Sequence, residues 1–281
     1  MISADELWPA LRRGPVLPDP LVRLLARRRW NELKDLGIDP GNYSTAAILA
    51  LSRDAQPVTV AWVPVGGSPD EVAAVERFAV MPSRYVELGL IEATPPPSRI
   101  EAALTEALRL LSLVPWVAGA IAAVVRSIHV LTTDGPAYDV SYSDPDVPFS
   151  IFVGVHPEPV PRERLRMAEG VLHEAMHLLL SLVEDVVPLV AGSGELRHSP
   201  WQGRPRPAQG ILHGLFVFAS IRAFMSSPLL IERLEAAEID HAAERVCVIE
   251  EEMRAIADLM QSDDLTDKGR EFVAALLAPV L

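Results

Sequence analysis

The sequence predicts a mainly helical α+β fold, in which a few long apolar helices pack beside a small sheet. Apolar residues make up 49% of the 281 residues and aromatic residues only 6%, so an aliphatic core of ample size is expected. Most of the chain repeats apolar residues at helical spacing. Only a few short runs alternate in polarity or are rich in β-branched residues, as strands are.

The first hundred residues predict two helices, a strand and a further helix. The helices lie in DELWPALRRG and in DPLVRLLARRRWNELKDLG, which ends at Gly37, and the strand lies in QPVTVAWVPVGG. The segment SPDEVAAVERFAV favours a helix, because Ser68 can cap it and Pro69 suits its first position. The proline run in ATPPPSR, residues 93–99, predicts a linker. We therefore separate an accessory region, residues 1–97, from a second domain, residues 98–281.

The second domain should begin with a helix at about residues 99–112. The uncharged run at residues 110–125 follows, and it predicts a buried core helix, because it is shorter than the roughly 20 residues of a membrane span. Strands are expected in SIHVLTT and FSIFVGV, and a long helix in PRERLRMAEGVLHEAMHLLLSLVED. A Gly/Pro-rich loop, the helix AQGILHGLFVFASIRAF and an acidic helix at about 228–261 come next. Thr266 is expected to cap the last helix.

Charge and cysteine content exclude several classes of partner. The formal net charge of −13 argues against a nucleic-acid surface and against an anionic membrane, because both need basic patches. Cys247 is the only cysteine, so no intramolecular disulfide can form and a reducing compartment is expected. The first residues contain no apolar signal core. We predict a cytoplasmic protein, and the long acidic helix leaves a homo-oligomer possible.

The motif HEAMH indicates a metal site. In a helix, His173 and His177 stand one turn apart on the same face, so both imidazoles can bind one ion. Glu174, turned by about 100°, misses the ion but reaches a ligand bound to it. The alternative is a helix with two incidental histidines, one of them facing solvent. Its apolar neighbours argue against that alternative, because unpaired buried imidazoles are costly.

A third protein ligand is expected, since two histidines do not complete a catalytic site. The extended motif of the metzincins requires Gly at 180 and His at 183, where this chain has Leu180 and Val183, so that class is excluded. A downstream glutamate is an option, with several candidates, among them Glu184 on the same helical stripe as His177.

His213 is the more specific candidate for the third ligand. It lies in an apolar helix between Gly210 and Gly214, which allow a close approach of another group. The alternative is a core histidine with an ordinary hydrogen-bond partner. His198, in the Gly/Pro-rich loop, is held in reserve.

The block SPWQGRPRPAQGILHGLFVFASI, with HExxH upstream, resembles a family of bacterial HExxH proteins that modify ribosomally made peptides. Similar signatures occur in SDPDVPFSIFV and LTDKGREF, so the resemblance covers about residues 100–281. It implies an Fe(II)- and 2-oxoglutarate-dependent oxygenase that β-hydroxylates side chains of a precursor peptide. It also implies a zincin-like local arrangement around the motif helix, with His173, His177 and His213 as iron ligands. The remainder, residues 1–97, has no such resemblance.

The distal carboxylate of 2-oxoglutarate needs a fixed cation, for which arginine suits best. Arg206 is the first candidate and Arg204 the second, both on the proline-stiffened stretch GRPRP, although surface arginines would give the same pattern. Arg222 faces away, because it lies nine positions after His213. Three protein ligands leave three positions on an octahedral ion for the keto acid and O₂.

A peptide substrate suggests two further predictions. If the edge of the strand FSIFVGV is free, an extended peptide could pair along it, which makes Phe149 and Ile151 candidate substrate contacts. Trp201 is a candidate aromatic contact in the loop. An internal strand and a packed tryptophan are the ordinary alternatives.

Two other functions remain open at this point. In a zinc metallopeptidase, Glu174 would be the general base that activates the zinc-bound water. In a non-catalytic peptide-binding domain, the metal would be structural or absent.

Overall fold

The computed structural model describes residues 2–35, 57–66, 71–78, 81–91, 95–132, 139–145, 147, 149–192 and 194–281. Within them the α-helices are α1 (Ala4–Leu11), α2 (Asp19–Asp35), α3 (Ser83–Glu87), α4 (Pro97–Ser112), α5 (Pro115–Val124), α6 (Glu163–Glu184), α7 (Ala208–Met225), α8 (Pro228–Ile231), α9 (Ala236–Ala255) and α10 (Asp267–Leu277). A 3-10 helix spans Ala257–Gln261. Helices dominate and the sheets are small, so the predicted fold class is confirmed.

The strands form two sheets. They are β1 (Pro57–Pro64), β2 (Val72–Phe78), β3 (Ser127–Leu131), β4 (Ser141–Ser143), β5 (Ser150–Gly154), β6 (Leu196–Ser199) and β7 (Arg204–Pro207). The larger sheet has the order β1-β2-β3-β5-β4, with β2, β3 and β5 parallel and the outer strands antiparallel to their neighbours. The smaller sheet is the hairpin β6–β7.

The chain divides into two compact units. The first, here called the sheet unit, is Ala26–Leu178 and contains the larger sheet; the second, the helical unit, combines Met1–Leu25 with Leu179–Leu281. Because β2 pairs with β3, strands on both sides of the predicted boundary at residue 97 belong to one sheet. That boundary therefore does not coincide with the division between the units, and Pro97 itself starts α4.

Strand β2 was expected to be a helix, and this prediction is wrong. Its alanines and its glutamate favour a helix when taken alone, but residues 73–76 are buried without a break. Such a run is typical of a central strand covered on both faces. Pairing with β1 and β3 overrides the local preference. The expected capping residues, Ser68 and Pro69, and the expected helix end, Gly37, lie outside the described residues.

Two predicted helices are broken where a new helix begins. The uncharged run contains α5, which starts with Pro115 at its first turn, and residues 117–124 are all buried, as expected of a core helix. The acidic run is interrupted before α9, where Glu235 and Glu238 form a reciprocal capping box. At the C-terminal end the prediction is confirmed, since the Thr266 hydroxyl accepts the Gly269 N–H at the start of α10.

The described residues contain one helix, α7, that is long and apolar enough to cross a membrane. Two-thirds (67%) of it is buried inside the protein. A core helix of a soluble protein passes the same test of length and composition, and the extensive burial fits that origin.

The parallel strands enclose a histidine in an aromatic core. His129 on β3 is fully buried, and its ring stacks on Phe78 at 5.1 Å and contacts Phe152 at 4.7 Å between centroids. Burial lowers the pKa of His129 to about 3, so its ring is neutral near pH 7. The 3.7 Å contact between its Nδ1 and Oε2 of Glu76 is therefore not an ion pair at that pH.

We expect this histidine to make folding sensitive to acid. An unfolded histidine titrates near 6.5, so between that pH and about 3 the unfolded chain binds a proton that the folded chain does not. Stability from this group is thus lost as the pH falls from 6.5, at most by about 1.4 kcal/mol per pH unit. In His129→Gln, the free energy of unfolding by urea should depend less on pH across this range. His198→Gln is the control, because His198 is exposed; equal slopes for wild type and His129→Gln would contradict the expectation.

Candidate functional site

The imidazoles of His173 and His177 face each other on one side of α6. Their Nε2 atoms are 3.2 Å apart and their ring centroids 4.9 Å apart. Both rings are partly exposed, with 26% of the His173 side chain accessible, whereas the neighbouring Leu172 and Met176 are fully buried. Two nitrogens at this separation can both bond one ion at about 2.1 Å, because twice that length exceeds 3.2 Å. The pair of metal-binding histidines that the motif predicts is therefore formed, and both rings are accessible to solvent.

Glu174 is held beside this pair by two hydroxyl groups. Its carboxylate is almost fully buried and accepts hydrogen bonds of 2.6 Å from Ser141 Oγ and from Ser143 Oγ, one on each oxygen. One of these oxygens, Oε1, lies 3.9 Å from Nε2 of His173. Burial raises the pKa of Glu174, while a charge on His177 and the two seryl hydrogen bonds act in the opposite direction. The carboxylate is thus fixed in place next to the imidazole pair.

The two serines belong to β4, the outer strand of the sheet on this side. The Gly154 N–H donates to the carbonyl of Val140 at 2.7 Å, and the register continues with Tyr142 opposite Phe152. In an antiparallel ladder, hydrogen-bonded pairs alternate with non-bonded pairs. The main-chain groups of Ser141 and Ser143 therefore point away from β5, towards the open side of β4 within the described residues.

The condition of a free edge on the strand FSIFVGV is not met, and the alternative of an internal strand is confirmed. That strand is β5, and it pairs with β3 on one side and with β4 on the other. Phe149 and Ile151 are 2% and 0% exposed, and the Phe149 ring contacts Trp30 edge-on at 5.6 Å. Their side chains belong to the core and are inaccessible to a substrate. The short strand β4 was missed because SYSDP has the composition of a turn.

His213 lies in the helical unit, where its partner is a carboxylate. Its Nε2 is 2.9 Å from Oε2 of Glu184, the last residue of α6, and Gln209 Nε2 donates to the same oxygen at 3.4 Å. With Nε2 as the donor, Nδ1 is the ring nitrogen that retains a lone pair for an ion. A carboxylate that orients a histidine through its second nitrogen is a common companion of metal ligands.

The structure brings together two of the three predicted ligands. Within the described parts of the chain, no group of three or more His, Cys, Asp or Glu side chains is arranged to hold a metal ion. The reserve candidate, His198, is exposed on β6 opposite Pro205.

The glycines on either side of His213 make room for the hairpin β6–β7. A Cβ at Gly210 would lie 3.0 Å from Nε of Arg206, and a Cβ at Gly214 would lie 2.4 Å from Cε3 of Trp201. The Trp201 ring also stacks on Phe218 at 5.1 Å. The close approach expected from the glycines is therefore made by an arginine and a tryptophan, and Trp201 is a packed residue of this hairpin.

Two arginines of the hairpin share a neutral acceptor. Arg204 Nε and Arg206 Nη1 donate to Oε1 of Gln202 at 3.1 and 3.2 Å. Neither contacts a carboxylate of the described residues, whereas the nearby Arg197 binds both Glu195 and Asp258. Nε of Arg206 is buried without a hydrogen-bond partner in that part of the chain. Because the Gln202 amide is uncharged, it does not neutralise the two guanidinium groups. The hairpin therefore has a local excess of positive charge, although the protein as a whole is acidic.

Sequence reasoning missed the residues that support this site. Ser141, Ser143 and Gln202 occur in turn-rich stretches, and nothing in their spacing marks them as partners of Glu174 or of the arginines. Glu184 was singled out on the helical stripe of His177 as a residue that could support a metal ligand, but its partner His213 was not predicted. Compared with known proteins, the chain matches no protein-family model and no curated protein.

The packing of Trp201 on Gly214 can be tested by adding one methyl group. Gly214→Ala should destabilise the protein by about 1–3 kcal/mol, because the new Cβ overlaps the indole ring, despite the better helix propensity of alanine. The free energy of unfolding and the tryptophan fluorescence should both change. Gly194→Ala is the control, since a Cβ there meets no atom of the described residues within 4 Å. An unchanged emission spectrum and stability for Gly214→Ala would show that Trp201 does not lie on this helix.

Proposed function

We propose that this protein is an Fe(II)- and 2-oxoglutarate-dependent oxygenase that β-hydroxylates side chains of a ribosomally made precursor peptide. The observation that carries the proposal is the pair of solvent-accessible imidazoles, His173 and His177, with Nε2 atoms 3.2 Å apart in a stretch of the helix, residues 171–180, whose other residues are buried. The choice of an oxygenase follows the resemblance of residues 100–281 to the HExxH peptide-modification family.

The imidazole ligands suit ferrous iron, and they also suit zinc. Imidazole nitrogens bind both ions, and zinc binds more tightly at a given site. Ferrous iron together with 2-oxoglutarate and O₂ would supply the oxidising power for hydroxylation of a carbon atom. His173 and His177 would hold the ion, and His213 is proposed as the third ligand on the resemblance, with Glu184 orienting its ring.

The paired arginines support the binding of a dicarboxylic acid. Arg204 and Arg206 together present two guanidinium groups, and among the described residues the acceptor they share is the Gln202 amide oxygen. A carboxylate would replace this neutral acceptor with a charged one, and charge-assisted hydrogen bonds are about twice as strong as neutral ones. We propose that Arg206, whose Nε has no partner within the described chain, anchors the distal carboxylate, with Arg204 beside it.

Strand β4 supports a peptide as the substrate. The main-chain groups of Ser141 and Ser143 point outwards, and their hydroxyls bind Glu174 of the motif. An extended peptide that pairs with β4 would gain main-chain hydrogen bonds and would run past the motif helix. In this proposal Glu174 positions groups through its fixed carboxylate and is not required as a base. A cytoplasmic location, where such peptides are made, agrees with the single cysteine.

Anaerobic reconstitution tests this proposal. With Fe(II) and 2-oxoglutarate we expect a metal-to-ligand charge-transfer band in the visible, which His177→Ala and His213→Ala should abolish. Arg206→Ala should keep the band but need at least tenfold more 2-oxoglutarate, about the effect of one charge-assisted contact. His198→Ala is the control, because this exposed ring lies on β6. Absence of the band in the wild type would refute the oxygenase. Binding of peptide but no metal would indicate a non-catalytic peptide-binding domain.

A zinc peptidase is the second candidate, and one observation favours it. Burial raises the pKa of Glu174, and its Oε1 lies 3.9 Å from His173 Nε2, which suits a residue that takes a proton from water. The same carboxylate accepts two hydroxyl hydrogen bonds, which instead suits a positioning role.

Glu174→Gln distinguishes the two candidates. A peptidase should lose at least 100-fold in kcat, the range of a general base, while its zinc stays bound. An oxygenase should retain the charge-transfer band and part of its turnover of 2-oxoglutarate. Ser143→Ala serves as a control for the local hydrogen bonds, since it removes one contact to Glu174 and leaves its charge.

A further inference from the structure

An open pocket of about 360 Å³ lies in the helical unit, and of its lining the proposed chemistry uses only Glu184, which would orient His213. It is lined by Glu184 at the end of α6, by Gln209 in the first turn of α7, and by the segment 188–192, whose sequence is PLVAG. Four of those five segment residues are apolar, and the fifth is glycine. Glu184 is the only charged residue in the lining.

The polar side chains of the lining are those of Glu184 and Gln209. Glu184 Oε2 already receives His213 Nε2 and Gln209 Nε2, at 2.9 and 3.4 Å. Because Gln209 donates through its nitrogen, its amide oxygen remains as an acceptor. Glu184 Oε1 likewise has no donor within the described residues. Two oxygen acceptors at one wall therefore have no partner in that part of the chain.

The sign of the local charge is set by the carboxylate. The cavity lies where α6 ends and α7 begins, so the partial negative charge of one helix end and the partial positive charge of the other oppose each other. Each is equivalent to about half an elementary charge, so they largely cancel. The Glu184 carboxylate is then the charged group that remains in the lining.

We propose that this cavity binds a primary alkylammonium group, such as a lysine side chain. The ammonium would donate to Glu184 Oε1 and to the Gln209 amide oxygen, and its alkyl chain would lie along the apolar segment 188–191. A guanidinium fits less well, because its paired N–H groups prefer both oxygens of a carboxylate and Oε2 already receives two donors. An ammonium is a compact point charge that takes separate acceptors.

The site is distinct from the arginine pair of the β6–β7 hairpin, which would take an anion. It also requires neither iron nor 2-oxoglutarate, so the protein as purified can be tested. The failure of the oxygenase proposal would leave it unaffected.

Titration by NMR with Nα-acetyl-lysine N-methylamide is the test, with the norleucine analogue as the neutral probe of similar shape. We expect saturable binding of the lysine probe, and at least tenfold weaker binding of the norleucine probe. Glu184→Gln and Gln209→Ala should each weaken lysine binding at least fivefold. Glu195→Gln, which removes a nearby carboxylate outside the cavity, should not. Gln209 is exposed, so its variant should fold even if Glu184→Gln disturbs His213.

Three results would overturn the proposal: equal binding of both probes, unchanged lysine binding in both cavity variants, or no saturation up to about 50 mM, well above a millimolar Kd. n-Butylammonium separates two sources of the same group. Binding as tight as that of the lysine probe indicates a site for small free amines, and weaker binding indicates a site for a peptide side chain.

Discussion

The hydrogen bonds from Ser141 and Ser143 to Glu174 connect the edge of the sheet to the motif helix. Through them a strand of three residues fixes the carboxylate of HExxH, and both oxygens are occupied. The imidazole rings one turn apart then remain accessible in a stretch of the helix, residues 171–180, whose other residues are buried. Without these hydroxyls, a nearly fully buried carboxylate would lack partners, which is costly enough to reorganise the site. The placement of the Glu174 carboxylate beside the imidazole pair depends on this contact.

The motif helix could be predicted from the sequence because its information is local. The spacing of His173 and His177 sets their common face, and apolar neighbours set the buried side, so both features follow from helical geometry. Strand β2 could not be predicted, because its alanines and glutamate favour a helix and only pairing with β1 and β3 decides otherwise. Strand β4 was hidden for the same reason, since three residues in a turn-rich stretch become a strand only beside β5.

The glycines around His213 correctly predicted a close approach to helix α7, but the residues that make the approach were not predicted. Their spacing indicated a close approach to α7, and the approach exists, but it is made by Trp201 and Arg206 of the hairpin. The sequence predicted a stiff loop for both arginines, and this prediction is wrong, because they lie on strand β7 of the hairpin. It could not show that they converge on Gln202, because that depends on the turn of β6–β7. Their lack of a carboxylate partner in the described chain is a property of the fold alone.

The helical unit is discontinuous in sequence, since its first 25 residues pack with its last hundred. The Lys268 ammonium lies 5.5 Å from the centre of the Trp8 ring, and Arg12 pairs with Glu271. During synthesis on the ribosome, helix α1 therefore cannot make these contacts until the segment around residues 268–271 has been made. The sheet unit is complete in sequence much earlier and can fold first. Chain growth thus imposes an order of folding in which the helical unit completes its packing after the sheet unit.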